Sequence, residues 1–209
     1  MGEAALQVCV VGGDLVAGVG DPRGQGWVGR VAAQTLADPP ATFLTLAVPM
    51  ETTQTMAQRW SQEVGRRLTL GYRHRLIVAP GTADLAAEVS VARSRLGLAD
   101  MLDAALRRKL PTWVVGPPPG RGPQNDQIAA LSRAFKDVTE RRGIRYIDTF
   151  SPLVSHDQWI ADMATGDGFH PGQAGYGLIA WLVLHSGWYS WAGVEEPAAE
   201  EWSAARVAR

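Results

Sequence analysis

Apolar positions along the chain fall into two alternating patterns. Short runs recur at 6–12 (LQVCVVG), 42–48 (TFLTLAV), 75–80 (RLIVAP), 112–116 (TWVVG) and 144–149 (IRYIDT). Four of the five carry few polar interruptions, which predicts strands covered on both faces. Between them the spacing turns helical. Met56, Trp60, Val64 and Leu68 recur every four residues. Leu98, Met101, Leu102, Ala105 and Leu106 mark one face of a second helix, and Ile128, Leu131, Phe135 and Val138 one face of a third. Thr52 or Thr53 can cap the first of these helices, and Gly143 ends the third. A last helix is predicted to start at Pro171 and to turn Tyr176, Ile179, Val183 and Leu184 inward.

Strand and helix alternating five times predicts a three-layer, doubly wound (flavodoxin-like) α/β domain on a five-stranded parallel sheet. Residues 1–192 are read as this single domain and 193–209 as a charged C-terminal tail. In such folds ligands bind beyond the carboxyl ends of the strands, where the strand order reverses. That directs attention to Gly12–Asp14, Pro49–Thr53, Gly81–Asp84 and the loop before the last helix. The proline- and glycine-rich stretch GPPPGRGPQN at 116–125 is expected on the rim of that cleft.

Composition narrows the partners. With 46% hydrophobic and 20% charged residues the chain has the make-up of a soluble globular domain. A net charge of -1 gives no electrostatic case for nucleic acid or an anionic membrane surface. No apolar stretch approaches the roughly 20 residues of a membrane span, and no signal peptide is read before Leu6, so a cytoplasmic protein acting on a small-molecule substrate is expected. The single cysteine, Cys9, lies inside an apolar run and is expected to be a buried, inert thiol.

Candidate chemistry gathers at the strand-end loops. In DGFHPGQAGYGLIAWL (167–182), Asp167 and His170 stand three apart in a tight loop. The carboxylate can hold one imidazole nitrogen while the other faces the cleft, which is how a third group orients a catalytic base. Read together with VVGGDLVAGVGD (10–21), LAVPMETTQTMAQRW (46–60) and PGTADL (80–85), the loops resemble the GDSL (SGNH) hydrolase family over roughly residues 6 to 190. Members use a serine in Gly-Asp-Ser-Leu after the first strand and an Asp-x-x-His before the last helix. A glycine amide after the second strand and an asparagine after the third complete their oxyanion hole. The resemblance implies an SGNH-type fold, esterase- or lipase-like hydrolysis without a cofactor, and catalytic roles for His170 and Asp167.

The departures lie in three of the four blocks. Aligned without a gap on Leu-x-Ala-Gly, Gly12 matches the first glycine, Gly13 replaces the aspartate, and Asp14 replaces the serine. Met50 stands where glycine is usual, a loss tempered because the family uses that residue's backbone N–H. Ala83 stands in the asparagine's place and has no side-chain donor, with Thr82 the neighbouring hydroxyl. Losing one such donor costs roughly a hundred- to a thousandfold in rate, and an ionised Asp14 would oppose the charge of an acyl intermediate. The expectation is therefore an atypical hydrolase in which Asp14, His170 and Asp167 act by acid–base or water-activating chemistry, with Gly13, Met50, Thr82 and Ala83 at the substrate. Two alternatives stand beside it: a non-catalytic ligand-binding descendant, and an esterase with a relocated hydroxyl such as Thr53. Two carboxylates and an imidazole are also a donor set for a divalent cation, but spacing alone is a weak signal and no metal is expected.

Other residues have plainer readings. His74, between Arg73 and Arg75, is expected at the solvated surface, and His185 at the end of the last helix favours the helix dipole. His156 lies in the long loop leading to Asp167, from which it could reach the cleft. Trp181, Trp188, Trp191 and Trp202 are expected to be packing residues, with Trp188 and Trp191 a possible apolar patch.

Overall fold

The computed structural model describes residues 4–197. Five strands, β1 (Ala5–Gly12), β2 (Thr42–Ala47), β3 (Tyr72–Ala79), β4 (Thr112–Val115) and β5 (Arg145–Ile147), pair in the order β2-β1-β3-β4-β5, every pair parallel. The chain leaves β1 toward β2 on one side and returns to β3 on the other. The strand order thus reverses beside β1, and a crevice opens at its carboxyl end. Only β1 and β4 are buried almost throughout. At the edge, β2 exposes Thr42 and Thr45, because an edge strand of a covered sheet still has one open side.

Helices cover both faces. Against one pack α2 (Gly26–Ala33), α9 (Gln173–Leu184) and α10 (Trp188–Ala192), burying Trp27, Val31, Tyr176, Ile179 and Trp188 onto Val8, Val10 and Ile77. Against the other lie α3 (Thr53–Gly65), α5 (Val91–Arg107) and α6 (Asn125–Glu140), whose Met56, Trp60, Leu98, Met101, Leu131 and Phe135 meet Cys9, Val11, Leu76 and Val114. Thr52 is the cap of α3, its hydroxyl accepting from the Thr55 amide. Cys9 is buried, which pushes its thiol up to about 11.

Several expectations need correction. Trp181, expected to pack, is 53% exposed and stacks on His185 at 4.1 Å between centroids. Leu106 is 46% exposed, because five apolar positions span a wider arc than α5 buries. The segment read as a long loop folds into α7 (Phe150–Leu153) and α8 (Asp157–Thr165). The last helix starts at Gln173 with Gly172 as its cap rather than at Pro171, since an acceptor from α8 holds the first amides. Trp188 and Trp191 form no surface patch: Trp188 is fully buried, and Trp191 stacks on Trp113 at 4.4 Å between centroids. Gly193–Pro197 follows α10 without regular structure, and the remainder of the tail, with Trp202, lies outside the described residues. No helix among the described residues is long and apolar enough to cross a membrane.

Candidate active site

The crevice is built from short helices that begin where strands end. Two helices, α1 (Asp14–Ala17) and α4 (Ala83–Ala86), start just after β1 and β3. Their first turns therefore face the cleft with amides that have no partner inside the helix. Gly12 passes so close to Val16 and the Ala79 carbonyl that a side chain would collide with both. That contact seats α1, and Asp14 with it, over the sheet end.

Asp14 divides its carboxylate between two partners. Oδ2 accepts the backbone N–H of Met50 at 2.9 Å, while Oδ1 lies 3.8 Å from His170 Nε2. The second distance exceeds a direct hydrogen bond but lies within reach of one bridging water. On the far side of the ring, His170 Nδ1 is 2.6 Å from Asp167 Oδ2. Asp167 Oδ1 accepts the amides of Phe169 and His170, each at 2.8 Å. Although burial opposes it, these bonds from the His170 ring and the two amides lower the Asp167 carboxyl to about 2. An ionised carboxylate can only accept, so the Nδ1 position carries the ring proton and Nε2 faces Asp14. The three residues form one line, Asp167–His170–Asp14, with the side chains of His170 and Asp14 20% and 21% exposed.

Residues distant in sequence hold that line in place. Gly20, at φ 87°, passes under His170: a Cβ there would stand 2.8 Å from the His170 Cβ. The Gly20 loop is tied by Asp21, whose Oδ2 accepts the Gly26 amide at 2.9 Å and Arg30 Nη1 at 2.5 Å. Tyr176 donates to the Val19 carbonyl at 2.6 Å, joining the same loop to α9. Asp162 of α8 accepts the amides of Gly172 at 2.6 Å and Gly175 at 3.0 Å, capping α9 from another element. Nothing local in the sequence marks Asp162, because its partners are set by how α8 crosses α9.

The cleft measures about 420 Å³. Gly13, Asp14, Met50, Thr82, Ala83 and His170 all line it. The remaining lining includes Leu15, Trp27, Val115, Ile128 and Ile179, with Gln124 and Gln127 supplying neutral polar groups. Gly116, Pro118, Pro119 and Gly120 from the predicted rim loop are part of it. Met50 and Phe169, 64% and 65% exposed, stand at the mouth. Among the described residues, Asp14 and His170 are the only ionisable groups in the lining.

Other residues fall elsewhere. Thr53 is buried outside the lining, where its hydroxyl donates to Asp84 Oδ2 and its amide to Asp84 Oδ1 at 2.8 Å. A hydroxyl committed to an acceptor in that position is not presented to a substrate. His156 stands exposed at the N-cap position of α8, with no side-chain capping bond, and does not line the cleft. His74 is half-buried, its Nε2 within 2.8 Å of the Thr69 carbonyl, rather than simply solvated. His185 caps the end of α9, its Nδ1 bonded to the Trp181 carbonyl at 2.8 Å. No group of three or more His, Cys, Asp or Glu among the described residues is placed to hold a metal ion.

Known proteins agree with this architecture. The GDSL-like Lipase/Acylhydrolase family matches residues 10–178. A lipase/acylhydrolase from Enterococcus faecalis superposes with a TM-score of 0.75 at 20% identity, over 93% of this chain and 100% of its own. A putative lipolytic protein of the G-D-S-L family from Desulfitobacterium hafniense gives 0.70 at 15% identity, over 86% and 98%. The psychrotrophic esterase EstA from Pseudoalteromonas sp. gives 0.66 at 16% identity, over 86% and 95%. No curated protein sequence matches the chain.

Proposed function

The chain belongs to the GDSL-like lipase/acylhydrolase family, and from that premise we propose a hydrolase that works without a serine nucleophile. Asp14, His170 and Asp167 are its catalytic groups, and an uncharged small molecule is its substrate. The observation that carries this reading is the line Asp167–His170–Asp14 facing the cleft, with 2.6 Å on one side of the ring and 3.8 Å on the other. A water between His170 Nε2 and Asp14 Oδ1 gives one proton to each acceptor and turns a lone pair outward. On attack its proton passes to Nε2, and Asp167 stabilises the imidazolium that forms. His170 then returns that proton to the leaving group. Gly13, Met50, Thr82 and Ala83 contact the substrate in this reading, and similar structures described as esterase and lipolytic favour an ester or related bond.

One observation favours a second reading, a ligand-binding protein that has ceased to turn over. The Met50 amide is engaged by Asp14, and Ala83 offers no side-chain donor, so neither awaits an acyl oxyanion. Wild type, Asp14→Asn and His170→Ala assayed against short-chain esters and acetylated sugars separate the two. The hydrolase reading expects turnover that falls at least about a hundredfold in both variants. Absent turnover, with ligand binding in calorimetry that survives both substitutions, would leave the binding protein.

A further inference from the structure

Resting on the hydrolytic reading of this site, we infer that the cleft also takes a neutral alkyl electrophile, such as an alkyl halide, toward which Asp14 is itself the nucleophile. The two carboxylate oxygens are used unequally. Oδ2 is held by the Met50 amide at 2.9 Å, whereas Oδ1 faces the cleft 3.8 Å from His170 Nε2. One oxygen is fixed and the other is presented. Besides Asp14 and His170 the lining has no ionisable group among the described residues, so no lysine or arginine there pairs with an anionic substrate. Leu15, Trp27 and Ile179 make the same cleft largely apolar, which suits an alkyl chain.

A nucleophilic Asp14 is mismatched to acyl transfer and matched to displacement at saturated carbon. Attack of Asp14 on an ester would form an anhydride and place charge on a carbonyl oxygen for which Ala83 has no donor. Displacement at saturated carbon develops no oxyanion on the substrate, because charge moves from Asp14 to the leaving group. In the first step Asp14 Oδ1 bonds to carbon as the carbon–halogen bond breaks, and the electron pair leaves with halide. In the second, His170 Nε2 takes a proton from water, and the water oxygen bonds to Asp14 Cγ. The charge then falls on Oδ2, where the Met50 N–H already donates. Collapse breaks the Cγ–Oδ1 bond, His170 protonates the departing alcohol, and the new carboxyl loses its proton to solvent. Alkyl halide and water become alcohol, halide and a proton. The amide that a serine esterase aims at its substrate serves the enzyme's own carboxyl here.

Bromohexane tests this. Wild type should release bromide continuously. His170→Ala, confirmed folded by circular dichroism, should release one equivalent and stop, keeping the mass of one hexyl group on the peptide containing Asp14. Asp14→Asn should release none. A single wild-type turnover in heavy-oxygen water should put the label into Asp14 and leave the hexanol unlabelled. Failure of wild type to release bromide and of His170→Ala to retain an adduct would overturn the proposal, and so would label in the first hexanol. The hydrolytic reading is judged separately by ester turnover that depends on Asp14 and His170, so the two can fail independently.

Discussion

The backbone amide of Met50 donates to Asp14 Oδ2 at 2.9 Å from a residue held at φ 57°, in the left-handed region. A side chain at such a φ costs roughly 1–2 kcal/mol, which makes this the strained point of the cleft. The strain aims an amide at the carboxylate. Met50→Gly removes the Cβ clash but loosens the unfolded chain by about 0.5–1 kcal/mol. Because Met50 is 64% exposed, little packing is lost. Urea unfolding of Met50→Gly should therefore show stability unchanged or raised by up to about 1.5 kcal/mol. A loss of more than that would mean the methionine side chain packs over the site.

Serine chemistry should be partly recoverable. Asp14→Ser places a hydroxyl at the start of α1 beside His170, which Asp167 still orients, and frees the Met50 amide. Weak short-chain esterase activity is expected from this change alone. Adding Ala83→Asn should raise it by roughly ten- to a thousandfold if the new amide reaches the oxyanion. His170→Ala should abolish the activity of both. Fluorophosphonate labelling at residue 14 checks the placement: if the folded double variant neither labels nor turns over, Asp14 does not occupy a nucleophile's position.

Asp162 should matter to His170 without touching it. Its carboxylate caps α9 through the Gly172 and Gly175 amides, and Gly172 lies two residues beyond His170. Asp162→Ala should cost about 1 kcal/mol, as losing a helix cap does. It should also speed hydrogen exchange of the amides at 170–175. A thermal scan and exchange mass spectrometry read the two effects, and unchanged exchange would argue against a positioning role.

Acid stability should report Asp167. Its carboxyl lies at about 2 in the folded chain against an ordinary 3.8. A carboxyl lowered on folding stabilises the protein above its unfolded value, and the contribution is lost as pH falls through the folded one. Wild type should thus exceed Asp167→Asn in stability at pH 5, and the gap should close between about pH 4 and pH 2. Chemical denaturation across that range measures it, and a gap independent of pH would show that Asp167 does not carry this linkage.

Much of the architecture was legible in the chain. Short apolar runs and period-four apolar spacing locate the five strands and the long helices α3, α5, α6 and α9, because burial on both faces leaves a run and burial on one face a repeat. Parallel strands with intervening helices then imply which loops share a crevice, so Asp14, Met50, Ala83 and His170 could be named as neighbours from residues far apart in sequence. What the sequence could not supply is direction. Whether Asp14 would face His170 or an amide depends on how α1 is seated by Gly12 against Ala79, a contact between two strands. That Met50 would adopt φ 57°, and that Thr53 would be taken by Asp84, depends on a loop pinned by residues beyond its own neighbourhood. Asp162 and Asp21 carry no periodic signal, since a capping carboxylate is set by the crossing of two elements rather than by its place in either. Local spacing determined the layers; the side-chain geometry of the cleft was decided by contacts that exist only once those layers are packed.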